Sequence, residues 1–398
     1  MNSSIAQRLV YLAFPVSLLA CVPRPAPVRA LACGGDRCVS PGRMAESLHA
    51  QLDGKVVGFA YVIGAPSAVS GGGGLARTAA DGPTVAFTPR TRITTASVSK
   101  WITAIATMSV LQAHRVGLDD PIGPFLPSDW TVDPYVRSIT FGRLLSHTSG
   151  IKDFGNGPQP YERLRAFFTR GVDGNSTTRC AGARVSDPPN AITPGDVGRC
   201  YSNYNFAILR LLLPRVAGFA EDADPGTRPR TLADQYESLV QKHVFRAVGA
   251  TAPACRPTRD DHARAYFFPG DKPGHDWGDV RLRCGDAGWY VTADEMASVL
   301  LSVVARDGRI LAESESYSSY AEMRRRGLGV DINTPELMAK SGLWGDDGGL
   351  ISTTAAIFGP EAGPNLVAVL FINSDVAGAP GARAQGILEG AYAAASGN

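Results

Sequence analysis

A buried helix is predicted where apolar residues recur with helical spacing after position 97. These apolar positions follow the i, i+3, i+4, i+7 pattern of a helix face, and Gly117 stands where the run would end. They are Val98, Trp101, Ile102, Ile105, Met108 and Leu111. Two more helices are predicted near the end of the chain. Thr292 and Glu295 form a capping box before an apolar-periodic segment, and residues 384–395 have the composition of a closing helix.

Strand-like segments fall into two groups that lie far apart in the sequence. Apolar, β-branched runs occupy residues 55–64 and 85–95 near the start, and residues 337–343, 349–358 and 365–373 near the end. Turns and helical patterns predominate between the two groups. We therefore predict one sheet that is built from both ends of the chain.

This arrangement predicts one unit of two lobes. Residues 45–115 and 290–395 are expected to form a sheet lobe, and residues 116–289 a helical lobe that contains a loop insert from about 155 to 200. The glycine run Gly71–Gly74 is predicted to be a flexible hairpin turn, because neither a helix start nor Gly-Lys-Ser/Thr follows it.

The N-terminal segment is typical of an exported protein. Arg8 precedes the apolar run Leu9–Ala20, which is too short to span a bilayer and has the length of a secretory h-region. Two processing sites stay open: a signal peptide 1–32, or a lipobox that ends at Cys21 and leaves residues 21–44 as a lipid-anchored tether. The expected location is secreted or periplasmic, with membrane attachment in the second case.

Length and charge limit the partners of the protein. With 398 residues and 44% hydrophobic composition, the chain can bury a large core without an oligomer, so we expect a monomer. Removal of residues 1–32 leaves 36 basic and 37 acidic residues. This balance indicates neither a nucleic acid nor an anionic membrane surface as a partner.

The cysteines are consistent with export into an oxidising compartment. Setting Cys21 aside as removed or lipidated leaves six of the seven cysteines, which permit fifteen pairings. Pairing sequence neighbours predicts the disulfides Cys33–Cys38, Cys180–Cys200 and Cys255–Cys284. The second of these would hold the loop immediately before Tyr201. Buried free thiols remain the alternative.

A nucleophile is suggested at the start of the predicted helix. Ser97 and Lys100 lie three residues apart and share a helix face, so a neutral lysine amine could take the serine proton during attack on a carbonyl. A lysine has an ordinary pKa of about 10.4, so we expect burial and a second cation, such as Lys340, to lower it. The same spacing recurs at Ser149 and Lys152. We discard that copy because a glycine-rich loop follows it.

Two further short motifs lie downstream. Tyr201-Ser202-Asn203 precedes an apolar stretch and is typical of a turn that enters a helix. Lys340-Ser341-Gly342 lies in a predicted strand, with Gly348-Gly349 as the turn of a hairpin. Taken singly, the first could be an aromatic anchor and the second an edge-strand lysine beside a turn. However, lysine is rare in this chain, and two of the six lysines fall at motif positions, which favours a functional interpretation of the motifs.

In this order and with these separations, the three motifs resemble the serine β-lactamase and penicillin-binding protein superfamily. There, a Ser-x-x-Lys, a Tyr-x-Asn and a Lys-Ser/Thr-Gly meet in one cleft. Connecting segments such as 117–122 and 144–151 are similar to the branch of class C β-lactamases, D-Ala-D-Ala peptidases and related esterases. The resemblance covers about residues 45–395. It implies an α/β (α+β) fold, with an antiparallel sheet flanked by helices, an all-helical lobe, and the active site between the lobes.

The resemblance implies the catalytic roles of four matching residues. Ser97 would be the nucleophile that accepts the acyl group, and Lys100 would be its activating base. Tyr201 would be the acid/base partner, either as a phenolate between two cations or as a neutral relay that returns the proton to the leaving group. Asn203 would orient the substrate and Lys100.

Substrate recognition is also implied by the resemblance. Lys340 and Ser341, in one motif with Gly342, would bind a substrate carboxylate, and the backbone N–H groups of Ser97 and Leu343 would form an oxyanion hole. Leu343 is larger than the small or polar residue usual at that position. This difference leaves the backbone donor intact but affects the expected width of the pocket.

The implied function is a serine hydrolase that forms a covalent acyl-enzyme with a β-lactam or a D-Ala-D-Ala-type cell-wall peptide. The cationic Lys340 favours this class of small-molecule or peptide substrate. An esterase or amidase of the same fold, and a penicillin-binding sensor that is acylated without turnover, remain alternatives.

Other hydrolase chemistries lack their motifs in this sequence. There is no Gly-x-Ser-x-Gly for a lipase-like triad, and there is no His-Glu-x-x-His or Cys-x-x-Cys for zinc. We therefore expect neither a metal nor a cofactor. His147 is expected to have a structural role in the turn after the helix that contains Leu144 and Leu145.

Overall fold

A seven-stranded antiparallel sheet, built from both ends of the chain, forms the centre of the computed structural model. In chain order the strands are β1 (Ala32–Gly34), β2 (Arg37–Val39), β3 (Gly58–Gly64), β4 (Ala68–Arg77), β5 (Val85–Ala86), β6 (Ile93–Thr94), β7 (Tyr290–Val291), β8 (Glu313–Ser314), β9 (Tyr317–Ser318), β10 (Ile332–Asn333), β11 (Leu337–Asp346), β12 (Gly349–Phe358) and β13 (Leu366–Ile372). The order in the main sheet is β10-β11-β12-β13-β3-β4-β5. The predicted joining of early and late strands is confirmed.

Helices are interspersed with these strands along the chain. They are α1 (Pro41–Leu52), α2 (Ser99–Ala113), α3 (Pro134–Ser138), α4 (Phe141–Leu145), α5 (Tyr161–Thr169), α6 (Tyr204–Val216), α7 (Arg228–Val240), α8 (Ala293–Ala305), α9 (Ser319–Arg326) and α10 (Ala384–Ala395). Short 3₁₀ turns occupy Ala79–Asp81, Ala96–Val98, Gly123–Phe125, Arg246–Val248 and Arg281–Arg283, and a π-helical turn occupies Gln241–Phe245. The helices α3 to α7 fall within the predicted helical lobe, while the division into two lobes stays a prediction.

The structure describes residues 31–396 apart from 35–36, 65–67, 153–156, 171–191, 193–197, 221–223, 225, 251–252, 259–261, 315–316 and 362. The predicted export segment, Cys21, Cys180 and most of the predicted insert therefore lie outside the described residues. Within the described ranges, none of the helices combines the length and apolar character needed to cross a bilayer.

Alternating side chains of the central strands supply two hydrophobic cores. In β3, Phe59, Tyr61 and Ile63 pack in the layer formed with α1 and α10, whereas Ala60 and Val62 point to the opposite face. That opposite face packs against α8 and continues into the core around α2. Successive residues of a strand point to opposite faces, so one strand serves both layers.

Helix α2 is buried almost all round, including Ser99 and Lys100 in its first turn. It ends at Ala113 rather than at the predicted Gly117. The reason is that Arg115 adopts a left-handed conformation (φ 57°), and the amide of Val116 donates to the carbonyl of Leu111 at 2.9 Å. This pattern closes a helix without requiring glycine. The predicted capping box of Thr292 and Glu295 is confirmed at α8.

The prediction that Gly71–Gly74 forms a flexible turn is wrong, because these residues lie inside β4 and pair with β3. Any side chain at Gly71 would meet the Tyr61 ring, and a Cβ at Gly73 would lie 2.7 Å from the Phe59 ring. The glycines therefore make room for aromatic residues of the neighbouring strand. The predicted strand 85–95 is also shorter than expected, since the structure forms only β5 and β6 there.

Two of the predicted disulfides, Cys33–Cys38 and Cys255–Cys284, are present. Cys200 is also disulfide-bonded, but Cys180, its predicted partner, lies outside the described residues.

We expect a Cys255→Ala/Cys284→Ala double variant to lower the free energy of unfolding by about 3 kcal/mol, because the bridge closes a loop of 29 residues in the unfolded chain. Denaturant melts of the oxidised proteins measure this loss. The matched control is the Cys33→Ala/Cys38→Ala variant, whose bridge spans 5 residues and should cost less. Equal losses for the two double variants would contradict the loop-entropy argument.

Candidate active site

Ser97 lies in the 3₁₀ turn Ala96–Val98 that leads directly into α2. The preceding Ala96 has a left-handed conformation (φ 46°), which is strained for a residue with a side chain. The turn is held by Thr95, whose amide donates to Trp289 at 2.9 Å and whose carbonyl accepts from the Thr353 hydroxyl at 2.7 Å. These bonds to distant segments fix the position of the Ser97 hydroxyl.

Lys100 is fully buried, and its amine lies beside the Ser97 hydroxyl. Its Nζ is 3.2 Å from Ser97 Oγ, 2.6 Å from Asn203 Oδ1 and 2.8 Å from the backbone oxygen of Asp286. Two acceptors thus orient the amine toward the serine. The predicted contact of Asn203 with Lys100 is present in the structure.

The Tyr201 hydroxyl is a second polar group, beside the Lys100 amine, in contact with Ser97 Oγ. It lies 2.8 Å from Ser97 Oγ, although the two residues are 104 positions apart. The amines of Lys100 and Lys340 lie 5.1 and 4.8 Å from the centre of the Tyr201 ring. The structure therefore brings the three predicted motifs together in one site.

Burial raises the pKa of Tyr201 above its ordinary value of 10.0, despite the opposing effects of the Lys340 cation and of the hydrogen bond with Ser97. The carboxylates of Asp331 and Asp286 add to the increase. A phenol with a raised pKa is neutral at pH 7. Of the two states considered for Tyr201, the neutral relay is the one that this environment favours.

His147 packs against the Tyr201 ring, with ring centres 4.6 Å apart. Its Nδ1 is 3.2 Å from the amide of Ser202 and 3.1 Å from Asn205 Nδ2, so it accepts from these donors. Burial, together with nearby cations, of which Lys340 has the largest effect, holds the pKa of His147 well below 6.5. A neutral imidazole thus supports the loop that carries Tyr201, which agrees with a structural role.

Lys340 is 1% exposed, and its amine forms an ion pair with Asp331 at 2.6 Å. The neighbouring Ser341 hydroxyl lies 3.2 Å from Gln385 Oε1. Sequence analysis identified Lys340 and Ser341 but not their partners. No short motif marks Asp331 or Gln385, because each reaches the site through the packing of a separate element.

Gly342 allows β11 to approach the turn that carries Ser97. A Cβ at this position would collide with the Thr353 hydroxyl and the Thr95 carbonyl, and it would lie 3.0 Å from the backbone nitrogen of Ser97. Leu343 follows in the same strand and is 49% exposed. The third motif therefore requires glycine at position 342 for steric reasons. The assignment of an oxyanion hole to the backbone N–H groups of Ser97 and Leu343 stays a proposal.

These residues surround a cleft of about 730 Å³. The predicted residues that line it are Ser97, Tyr201, Asn203, Ser341, Gly342 and Leu343. Sequence analysis did not identify Asp331, Trp344, Arg383 and Gln385, which line it as well. The start of α10 thus contributes to the cleft from near the end of the chain.

The discarded copy of the first motif has a different environment. Ser149 is fully buried, lies outside any helix and donates its hydroxyl to Asn205 Oδ1 at 2.5 Å. It does not line the cleft. The prediction that Ser149 and Lys152 do not form a nucleophile pair on a helix agrees with the structure.

One group of side chains in the described ranges has ligand atoms close enough together for a metal ion, namely Glu237, Cys255 and Cys284. The two sulfur atoms are joined to each other in a disulfide. Since a thiolate is the form that binds metal, this group does not fit a metal site in the oxidised protein.

Comparison with known proteins gives a consistent result. The family model described as Beta-lactamase matches residues 47–392. Penicillin-binding protein 4 of Amycolatopsis lactamdurans is 31% identical over 147 residues, which are 35% of this chain and 34% of that protein. The chain is therefore aligned with about a third of the length of that relative.

Solved structures share the fold at low sequence identity. A class C β-lactamase from Rhodobacter sphaeroides has a TM-score of 0.59 at 17% identity, covering 88% of this chain and 98% of the other. A β-lactamase/D-alanine carboxypeptidase from Yersinia pestis has a TM-score of 0.59 at 19% identity, covering 88% and 95%. An octameric penicillin-binding protein homologue from Pyrococcus abyssi has a TM-score of 0.59 at 19% identity, covering 88% and 74%.

Proposed function

Because the chain belongs to the β-lactamase family, we propose that it is a serine hydrolase that cleaves carboxylic acid derivatives through an acyl-enzyme on Ser97. The observation that carries the proposal is the contact of Ser97 Oγ with both the Lys100 amine at 3.2 Å and the Tyr201 hydroxyl at 2.8 Å. One nucleophile with two proton carriers is the arrangement that two-step acyl transfer requires.

In the first step, a neutral Lys100 amine takes the Ser97 proton while Oγ attacks the substrate carbonyl carbon. The oxyanion that forms would accept hydrogen bonds from the backbone N–H groups of Ser97 and Leu343, an effect worth about 10²- to 10³-fold in rate for one donor. Collapse of this intermediate breaks the bond to the leaving group. The leaving atom takes a proton from Tyr201, which regains one from Lys100.

In the second step, Tyr201 assists the water that attacks the acyl-enzyme. Its hydroxyl already lies at the ester oxygen that Ser97 would form. The neutral phenol favoured by the raised pKa can both donate a proton and pass one on to Lys100. The bond between Ser97 Oγ and the acyl carbon then breaks, the acid is released, and Oγ takes the proton that the water gave up.

The first substrate candidates are β-lactams and D-Ala-D-Ala-type peptides, supported by family membership and by the cationic residue at Lys340. A second candidate is an ester or amide that has no carboxylate in the part of the molecule that faces Lys340. It is favoured by the ion pair of Lys340 with Asp331, because the ammonium expected to bind a carboxylate already has one beside it.

A panel of substrates tests the proposal. The mature protein is incubated with a chromogenic cephalosporin, a fluorescent penicillin, a D-Ala-D-Ala peptide and a short p-nitrophenyl ester, and both turnover and intact mass are followed. We expect turnover of at least one substrate. A mass addition that persists without product would favour the sensor, and the absence of both turnover and mass addition would contradict the proposal.

Replacing Tyr201 with phenylalanine should slow deacylation by about 10²-fold or more while the ring still packs on His147. The acyl-enzyme would then accumulate, and intact mass spectrometry after mixing measures its lifetime. Tyr135→Phe is the matched control, because it removes a phenol hydroxyl that lies outside the cleft and donates to the carbonyl of Ser149. An unchanged acyl-enzyme lifetime in Tyr201→Phe would eliminate Tyr201 as the proton carrier.

A further inference from the structure

The carboxylate of Asp331 occupies the position in front of Lys340. Its Oδ1 accepts from Lys340 Nζ at 2.6 Å and from an Arg199 nitrogen at 3.2 Å, while Oδ2 accepts from the amide of Ser341 at 3.2 Å. Arg199 also donates to the carbonyls of Val330 and Asp331 at 2.7 and 2.8 Å. Donors from two separate segments therefore hold the carboxylate in one place.

Of these three charged groups, only Asp331 lines the cleft. Its side chain is 31% exposed, whereas that of Lys340 is 1% exposed. A substrate group that enters from the cleft therefore meets the carboxylate before it meets the ammonium. A substrate carboxylate at this point would either displace Asp331 from Lys340 or lie beside a like charge, and both are unfavourable.

The position of the Lys340–Asp331 ion pair also corresponds to the leaving-group end of the substrate. The Lys340 amine lies 4.8 Å from the centre of the Tyr201 ring, and the Tyr201 hydroxyl is the proposed proton donor to the leaving group. The pair of Lys340 and Asp331 therefore lies on the leaving-group side of Ser97. The residues that follow Gly342 along β11 are apolar. Leu343 is 49% exposed, and Trp344 stacks on Trp277 with ring centres 5.0 Å apart.

We propose that Asp331 determines substrate specificity by pairing with Lys340 so that the cleft prefers substrates whose leaving group carries no negative charge. This inference rests on the proposed function and deepens it. It favours the second of the two substrate candidates, esters or amides with an uncharged leaving group, over the anionic substrates that Lys340 alone would favour.

Two aryl esters that differ in one charge test the proposal. Phenyl butyrate and its 3-carboxyphenyl analogue have the same acyl group, and release of the phenol is measured for each by chromatography. We expect wild-type protein to have a kcat/KM for the neutral ester at least about tenfold above that for the anionic ester, mainly through KM. A wild-type preference for the anionic ester would overturn the proposal without any variant.

The variant Asp331→Asn removes the charge but keeps an oxygen that can accept from the amide of Ser341. We expect it to raise kcat/KM for the anionic ester by about tenfold or more relative to the neutral one. Asp307→Asn is the matched control, because Asp307 has a similar side-chain exposure of 26% and also pairs with a cation, Arg309, but does not line the cleft. The control should leave the ratio between the two esters close to that of wild type.

The outcomes separate this inference from the proposed function. Turnover that survives Ser97→Ala would remove the basis in Ser97 chemistry. No turnover of either ester, together with turnover of another substrate of the panel, would overturn the assignment to uncharged esters and leave the proposed function in place. Turnover that depends on Ser97, with the same ratio in wild type and Asp331→Asn, would overturn only the role of Asp331. Thermal melts show whether each variant is folded. If Asp331→Asn does not fold, the ratio of kcat/KM for the two esters in the wild-type protein still tests the proposal.

Discussion

Ser97→Ala is expected to abolish covalent modification of the protein by acylating substrates and to reduce kcat by about 10⁶-fold, to the background rate. The reason is that Ser97 Oγ is the oxygen that both the Lys100 amine and the Tyr201 hydroxyl contact. Without this oxygen, neither group has a nucleophile to activate. Intact mass spectrometry with the most reactive substrate of the panel measures the loss.

Two serine variants serve as controls for this result. Ser138→Ala removes an exposed hydroxyl at the end of α3 and should leave labelling unchanged. Ser149→Ala removes the serine of the discarded motif and should leave labelling largely intact, although its hydrogen bond to Asn205 is lost. Labelling that disappears in Ser149→Ala and persists in Ser97→Ala would show that the assignment of the nucleophile is wrong.

Replacing Lys100 with methionine should lower the acylation rate by about 10²- to 10⁴-fold, because the group that takes the serine proton is removed. The methionine is similar in length and suits the buried position. Stopped-flow measurement of acyl-enzyme formation gives the rate, and the serine itself stays available for slow labelling.

Lys100→Arg distinguishes proton transfer from a purely electrostatic role. Arginine keeps the positive charge but stays protonated at neutral pH, so it cannot act as the base. We expect this variant to be as slow in acylation as Lys100→Met. Recovery of the wild-type rate in Lys100→Arg would mean that Lys100 acts as a fixed charge. Thermal melts show whether either substitution disturbs the contacts with Asn203 and Asp286.

Local patterns could predict the three motifs because chemistry requires certain residues at short separations. Ser97 and Lys100 need a separation of about one helical turn, and Lys340 and Gly342 need positions two residues apart on one strand. Gly342 in particular leaves space for the Thr353 hydroxyl and for the turn of Ser97. Such requirements are visible in the sequence once the three motifs are considered together.

Contacts that depend on tertiary packing could not be predicted in this way. Asp331 precedes Lys340 by nine positions, and no sequence motif indicates that the two form an ion pair. The backbone carbonyl that accepts from Lys100 belongs to Asp286, which lies in a distant segment of the chain. The prediction of a turn at the glycines of β4 is wrong because these glycines make room for the Phe59 and Tyr61 rings of the neighbouring strand, which no local pattern shows. Sequence patterns record local geometry better than they record which side chain fills a given space.

The most direct test of the account is to locate a covalent adduct on the chain. An alkyl p-nitrophenyl phosphonate modifies activated serines whatever the natural substrate is, and digestion with trypsin followed by fragmentation identifies the modified residue. We predict the adduct on Ser97 in the peptide 93–100, with Ser99 in the same peptide unmodified. An adduct on Ser149 in the peptide 144–152, or no adduct on any serine, would contradict the proposal that Ser97, Lys100 and Tyr201 form the active site.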